Sequence, residues 1–164
     1  MITSIRQGAT LERSQVEAQR QSRLLVLALG LLSILGIGLA GYMSYTDLLG
    51  SVPVCGGVGD CETVHTSAYA YLATVPVAVF GLLSYMGITA LALVRWRAKG
   101  TLGYLASLGI LVLASSGTLF SAYLTYVEFF VIDAVCPWCV ASAVTITVSL
   151  ALAATDVAAQ TRRG

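Results

Sequence analysis

Residues 24–45 read LLVLALGLLSILGIGLAGYMSY, a stretch without a charged side chain. As an α-helix it would rise about 33 Å, enough to cross the hydrocarbon core of a bilayer. Three further apolar stretches follow, at residues 75–96, 104–132 and 137–157. Only 10% of the 164 residues are charged, whereas soluble domains average about 25%. We therefore predict an all-α integral membrane bundle of four transmembrane helices, with a long extracytoplasmic loop between the first two. A soluble helical bundle is the alternative.

The Lys and Arg residues determine the predicted orientation. All nine fall on one side of the four stretches: before the first, from the end of the second to the turn before the third, and after the fourth. Cytoplasmic segments of membrane proteins carry an excess of Lys and Arg. We therefore expect cytoplasmic tails at residues 1–23 and 158–164, around a membrane domain at residues 24–157. The net charge of +1 gives no reason to expect a nucleic-acid partner.

The outer loop, residues 46–74, divides into two parts. Its first part contains Pro53 and three glycines around a cysteine pair, which favours turns. Residues 61–73 contain few helix breakers and are expected to form a short interfacial helix. In the first span, Gly36 and Ala40 have the small-residue spacing that lets a neighbouring helix approach closely.

All four cysteines fall on the predicted outer side, where thiols meet an oxidising environment. The CPWC motif at residues 136–139 puts Pro137 at the first position of a helix and Cys136 near its N-cap. The helix dipole there favours a thiolate. Cys136 and Cys139 share one helical face, within reach of a disulfide. This pattern predicts a redox-active pair, with a structural disulfide or half of a zinc site as the alternatives.

Cys55 and Cys61 form a second, wider pair in the glycine-rich loop. Such a loop can reach outward to a soluble protein and down to the membrane surface, as a redox relay requires. A structural loop disulfide is the alternative. A zinc site would need all four cysteines, and their spacing fits poorly with known zinc motifs, so no metal is predicted.

Electrons leaving such a pair need an acceptor, and the sequence has no haem, flavin or nucleotide motif. A lipid-soluble quinone could reach this depth. Aromatic residues near the CPWC level could wall a flat ring, although an interfacial belt accounts for most of them; they are Tyr123, Tyr126, Phe129, Phe130 and Trp138. His65 is interpreted as polar surface rather than a proton acceptor, and Glu128 as a rim carboxylate rather than part of a proton path.

Two blocks of sequence carry a resemblance to a known family. The first is SAYLTYVEFFV at residues 121–131, followed by the CPWC motif. The second is the loop cysteine pair followed by Val64, Ser67, Tyr69, Val75–Pro76 and Phe80–Gly81. Together they resemble the vitamin K epoxide reductase family over about residues 36–148. The order of the cysteines, with the spaced pair first and CxxC last, also matches this family.

The resemblance implies a four-helix bundle around a quinone, ubiquinone or menaquinone, with the CxxC disulfide as the active centre. It implies that Cys139 lies nearest the quinone and that Cys136 exchanges with the loop. Cys61 would then be the inner loop thiol, and Cys55 the thiol that meets the protein partner.

The resemblance also implies a set of quinone contacts, at Ser67, Tyr69, Val77, Phe80, Tyr123 and Ala143. Ser67 and Tyr69 match loop positions over the active centre. Val77 and Ala143 stand where animal members carry an asparagine and a tyrosine that hydrogen-bond the quinone. This departure argues against animal-type epoxide reduction.

The sequence thus predicts a membrane thiol oxidoreductase of a bacterial inner or plasma membrane. It would oxidise a separate extracytoplasmic thioredoxin-like protein and pass the electrons through both cysteine pairs to a quinone, supporting disulfide formation. A separate partner is expected because many bacterial members carry a fused thioredoxin-like domain that this chain lacks. The alternatives are a quinone or quinone-epoxide reductase of vitamin K type, and a tetraspan interaction protein with structural disulfides.

The orientation can be tested with a membrane-impermeant thiol reagent applied to intact cells after reduction. We expect Cys55 to be labelled and a cysteine introduced by Lys99→Cys to stay protected, because the basic residues should be cytoplasmic. Labelling of the Lys99→Cys protein at the new position, with Cys55 protected, would contradict the predicted topology.

Overall fold

The computed structural model describes residues 2–57, 59–98 and 100–162. Five α-helices form the chain: α1 (Ile2–Leu48), α2 (Cys61–Thr66), α3 (Val77–Arg97), α4 (Thr101–Val127) and α5 (Pro137–Thr161). The predicted all-α fold is confirmed. Lys99 of the predicted basic turn and Arg163 of the predicted C-terminal tail lie outside the described residues.

Four helical segments are long and apolar enough to cross a membrane: Gln19–Leu48, Val77–Arg97, Thr101–Ile132 and Pro137–Thr161. The protein is therefore a membrane protein of four transmembrane helices. Helix α1 runs without interruption from the polar N-terminal segment into the first of these segments.

The four long helices form a bundle in which α1 and α4 each pack against both α3 and α5. Its apolar core includes Leu29, Tyr85, Ile88, Ile110 and Ile146. Gly36 faces the ring of Tyr85 so closely that a side chain at this position would collide with it. Ala40, one turn later, is buried against Gly81. The close helix approach predicted from the spacing of Gly36 and Ala40 is thus confirmed.

The connection from α1 to α3 contains less helix than the sequence predicts. Helix α2 ends at Thr66, since Ser67 adopts an extended backbone and its hydroxyl donates to the Val64 carbonyl at 2.7 Å. Such a local bond competes with the next helical turn. A 3₁₀ turn (Ala68–Ala70) and a two-stranded hairpin, β1 (Tyr71–Leu72) and β2 (Val75–Pro76), follow. The single helix predicted over residues 61–73 is therefore wrong beyond Thr66.

A buried polar cluster joins all four long helices at the end of the bundle away from the cysteines. Asp156 of α5 is only 2% exposed, and its carboxylate accepts from the Arg95 guanidinium of α3 at 3.2 Å and from the Ser107 hydroxyl of α4 at 2.7 Å. Arg95 also donates to Ser22 of α1 at 2.9 Å. Arg95 is thus an internal ion-pair partner as well as a member of the basic turn.

Removing the carboxylate of this cluster should destabilise the bundle. In Asp156→Ala the Arg95 guanidinium would stay buried without its partner, a change that costs about 3 to 5 kcal/mol in proteins. Denaturant unfolding in detergent measures the loss. Glu17→Ala, which removes an exposed carboxylate of α1, is the control and should change stability by less than about 0.5 kcal/mol. Equal small effects in both variants would contradict a stabilising role for the cluster.

Candidate active site

The CPWC motif begins α5 as the sequence predicts. Cys136 is the N-cap residue with an extended backbone, and Pro137 lies in the first turn of the helix. Cys136 is fully buried, whereas Cys139 is half-buried, and both are free thiols. Their sulfur atoms and a ring nitrogen of His65 all lie within 4.8 Å of one another. The two thiols are therefore close enough to form a disulfide after a small movement.

The loop pair reaches the CPWC pair through one sulfur contact. Cys55 and Cys61 are joined by a disulfide, with their Cα atoms 6.1 Å apart. Cys61 is the first residue of α2 and is buried. Its Sγ lies 3.6 Å from the Sγ of Cys136. Cys61 and Cys136 thus bring the two pairs into contact.

Backbone packing fixes Cys61 in this position. Gly59 has a φ of +80°, and its Cα faces the Val135 carbonyl and the Pro137 ring too closely for any side chain. The Asp60 N–H donates to the same Val135 carbonyl at 3.1 Å. Asp60 then caps α2 by accepting from the Thr63 N–H at 3.0 Å. The glycine-rich loop is therefore docked at its Cys61 end.

The Cys55 end of the loop is docked by aromatic side chains. The Val54 N–H donates to the Tyr42 hydroxyl at 3.0 Å, and the Val54 carbonyl accepts from the Trp138 indole at 3.1 Å. The rings of Tyr42 and Trp138 pack together, with centroids 5.1 Å apart. Trp138, which lies between the two CPWC cysteines, thus holds the loop beside the start of α5.

His65 is a site residue that the sequence analysis assigned to the surface. It is only 7% exposed. Its Nδ1 lies 2.6 Å from Oδ1 of Asp47 in the last turn of α1, and its Nε2 lies 3.7 Å from the Sγ of Cys136. The prediction of polar surface is wrong because His65 follows Cys61 by one helical turn and shares its inward face.

The His65 imidazole and the Cys136 thiol shift each other's pKa. Burial lowers the pKa of His65, but hydrogen bonds with Asp47 and Cys136 outweigh that effect and raise the pKa to about 9. A hydrogen bond with Cys139 lowers the pKa of Cys136 against the opposing effect of burial, and the hydrogen bond with His65 lowers it further. A protonated imidazole beside a Cys136 thiolate is therefore favoured near neutral pH.

Glu128 is a second buried group beside the CPWC pair. It is 3% exposed, and its carboxylate accepts from the Cys136 N–H at 3.2 Å. Glu128 opens a π-helical turn, Glu128–Ile132, which ends at Asp133 in the left-handed region with a φ of 55°. Such turns often occur at functional sites. The assignment of Glu128 to the exposed rim is therefore wrong.

An apolar cavity of about 320 Å³ lies between the four long helices and reaches Cys139. This volume falls within the usual range for small-molecule sites. Three of the predicted quinone contacts, Val77, Phe80 and Ala143, line it. A smaller cavity of about 40 Å³, which also reaches Cys139, is lined in part by Ser67, Tyr69 and His65.

A sequence model of the Vitamin K epoxide reductase family matches residues 27–154, a range that contains all four cysteines. The match covers more than half of the sequence. The chain belongs to the vitamin K epoxide reductase family. It is therefore a membrane oxidoreductase of a family associated with quinones, which confirms the resemblance described above.

The large cavity of this family member fits a flat apolar ring. Its lining is mainly apolar and includes Phe80 of α3 and Phe120 of α4, together with Cys139. A few polar groups also face it. The Tyr85 hydroxyl donates to the Ser142 carbonyl at 2.9 Å, and both residues line the cavity together with Glu128. Phe120, Tyr85 and Ser142 were not singled out from the sequence, since they lie among ordinary apolar and small residues.

Tyr123 is the one predicted quinone contact that lines neither of the two cavities described above. Its side chain is 52% exposed. Three neighbouring aromatic side chains are exposed to a similar or greater extent, namely Tyr126, Phe129 and Phe130. This exposure agrees with an interfacial aromatic belt.

The four-cysteine zinc site considered from the sequence is not formed in this arrangement. Cys55 and Cys61 are bonded to each other, so neither offers a thiolate to a metal. A tetrahedral zinc site of four cysteines needs all four sulfurs.

The contact between Cys61 and Cys136 predicts which mixed disulfide can be trapped. In the Cys55→Ser, Cys139→Ser double variant only these two thiols remain, 3.6 Å apart. We expect them to form one intramolecular disulfide under mild oxidation, detected by mass spectrometry of the non-reduced protein. The Cys55→Ser, Cys136→Ser variant, which leaves Cys61 and Cys139, is the control and should form less. Two persistently free thiols in the first variant would show that the two pairs do not exchange.

Proposed function

We propose that the protein oxidises an extracytoplasmic thioredoxin-like dithiol protein and passes the electrons through its two cysteine pairs to a quinone. The observation that carries this proposal is the 3.6 Å contact between Cys61, in one pair, and Cys136, in the other. The second pair opens through Cys139 onto the apolar cavity. The arrangement therefore joins a loop that a protein can meet to a cavity that suits a lipid-soluble ring.

The first exchange takes place at the loop. A thiolate of the partner attacks Cys55, the more exposed sulfur of the pair, and Cys61 leaves with the electron pair of the broken bond. The second thiol of the partner then attacks the mixed disulfide and releases Cys55. The partner leaves oxidised, and both loop cysteines are reduced.

The second exchange moves the disulfide from the CPWC pair to the loop. The Cys61 thiolate attacks Cys136 of the Cys136–Cys139 disulfide, and Cys139 leaves as a thiolate. Cys55 then attacks Cys61, which reforms the loop disulfide and releases Cys136. The CPWC pair ends with the two electrons that came from the partner.

The described arrangement corresponds to the state after this second exchange. The loop pair is oxidised, while Cys136 and Cys139 are free thiols. A bound quinone would accept two electrons and two protons from this dithiol, becoming a quinol as the Cys136–Cys139 bond forms. Val77, Phe80 and Ala143 would hold the ring beside Cys139.

The orientation of the site toward the outside is part of the same proposal. Along the sequence, the basic residues flank the ends of the apolar stretches opposite those that the cysteines flank, which supports cytoplasmic termini. The loop disulfide then faces the oxidising compartment, where substrate proteins acquire disulfides.

Single-cysteine variants assayed with two reductants test this function. Cys139→Ala should abolish quinone reduction from every donor, because no CPWC disulfide remains beside the cavity. Cys55→Ala should lose turnover with a thioredoxin-like dithiol protein but retain part of its activity with dithiothreitol, since a small dithiol can reach the CPWC pair directly. Quinone absorbance follows both reactions in purified protein.

The comparison between donors is the decisive part of this experiment. Equal losses of both activities in Cys55→Ala and Cys139→Ala would contradict a shuttle role for the loop. Unchanged quinone reduction in Cys139→Ala would contradict the proposed exit of electrons from the CPWC pair.

A further inference from the structure

We propose that His65, oriented by Asp47, is a catalytic residue that holds a proton beside Cys136 and so stabilises this cysteine as a thiolate. The inference rests on the proposed function and assigns a role to two residues outside the cysteine pairs. In chemical terms the three side chains form a Cys–His–Asp arrangement across three elements of the fold.

The geometry leaves the imidazole little freedom. The side chains of His65 and Asp47 are 6% and 5% exposed, and their Nδ1 and Oδ1 atoms are 2.6 Å apart. The opposite ring nitrogen, Nε2, lies 3.7 Å from the Cys136 sulfur. A carboxylate on one nitrogen fixes the ring orientation and stabilises its protonated form, which leaves the other N–H directed at the sulfur.

Within residues 24–94 and 101–161, His65 is the only side chain that can carry a positive charge. No Lys or Arg occurs in residues 24–94 or in residues 101–161. The other titratable groups that face the ring are a carboxylate on α1, Asp47, the π-turn carboxylate Glu128, and the thiols Cys136 and Cys139 of α5. Each of these is neutral or negative. A buried thiolate among them needs a cation, and His65 is the side chain in contact that can supply it.

The role of this charge is clearest in the second exchange. When Cys55 attacks Cys61 of the Cys61–Cys136 disulfide, the S–S bond breaks and Cys136 departs with its electron pair. An adjacent imidazolium stabilises that departing sulfur, and a better-stabilised thiolate leaves faster. The same ion pair then holds one of the two protons of the CPWC dithiol on nitrogen instead of sulfur.

The pH range in which the ion pair exists follows from the shifted pKa values of His65 and Cys136. The pKa of His65 is raised to about 9, so the imidazolium is present below that value and is lost as the pH rises through it. The pKa of Cys136 is lowered, so the thiolate is present above that lowered value. The ion pair is therefore present between these two pKa values, a range that includes neutral pH.

The test measures the thiolate directly, without a partner or a quinone. Purified, fully reduced protein is alkylated with iodoacetamide across a pH series, and mass spectrometry reads the rate at Cys136 alone. In wild type the midpoint should lie well below about 8.5, the value of an ordinary cysteine. His65→Gln should raise the midpoint by about 1 to 3 pH units, as expected when an opposite charge within 6 Å is lost. The rate at pH values below both midpoints should fall at least about tenfold.

Two further variants keep the result interpretable. Asp47→Asn leaves the imidazole in place but removes its carboxylate, so it should raise the midpoint by less than His65→Gln. Glu62→Gln, at an exposed position of the same helix, is the matched control and should leave the midpoint unchanged. Helical circular dichroism and gel filtration identify a variant that fails to fold, in which case the Asp47→Asn result decides.

The outcomes separate this inference from the function on which it rests. An unchanged Cys136 midpoint in folded His65→Gln, or in folded Asp47→Asn if His65→Gln does not fold, would overturn the role of His65 even if quinone reduction is observed. A raised midpoint in a protein that reduces no quinone would support the role of His65 and contradict the proposed function instead.

Discussion

Exchange between two cysteine pairs requires one sulfur of each pair to touch, and the contact between Cys61 and Cys136 meets this requirement at 3.6 Å. Much of the outer end of the bundle serves to hold that contact. Gly59 lets the loop backbone lie against the carbonyl of Val135, while Tyr42 and Trp138 hold the other end of the loop. The loop glycines thus provide a close approach at Gly59 in addition to the freedom expected of a glycine-rich segment. In the proposed function, this docking is what would let a reduced loop pass electrons to the CPWC pair.

The membrane bundle adds a second requirement, because thiolate chemistry must take place beside an apolar cavity. A buried thiolate is unstable without a nearby cation, and the outer segments contain no Lys or Arg. Asp47 and His65 meet this need from the ends of two helices, and Glu128 accepts the backbone N–H of Cys136 from a π-turn. His65, paired with Asp47, therefore lies against Cys136, whereas Cys139 lines the apolar cavity together with Glu128. This division lets one sulfur exchange with the loop while its neighbour faces the cavity.

Features that depend on hydrophobic periodicity and motif spacing were predictable from the sequence. Four long apolar stretches predict the four-helix bundle, and Pro137 predicts the N-cap position of Cys136. The missed residues are polar side chains whose partners are distant in sequence. Asp47 and His65 come from different helices, and Asp156 meets Arg95 across the bundle. A single sequence does not show such pairings. Glu128 was misplaced because the π-turn that directs it inward has no clear sequence signal, whereas the position of His65 one turn after Cys61 was a usable clue.

The most direct test of electron transfer between the pairs uses oxidised protein, one equivalent of a reduced thioredoxin-like dithiol protein, which is too large to reach the CPWC pair directly, and no quinone. Acid quenching, alkylation and peptide mapping then show where the two electrons reside. We expect Cys136 and Cys139 to be alkylated in most molecules while the Cys55–Cys61 disulfide remains, as in the described arrangement. Alkylation confined to Cys55 and Cys61, with the Cys136–Cys139 disulfide intact, would contradict electron transfer from the loop to the membrane-embedded pair.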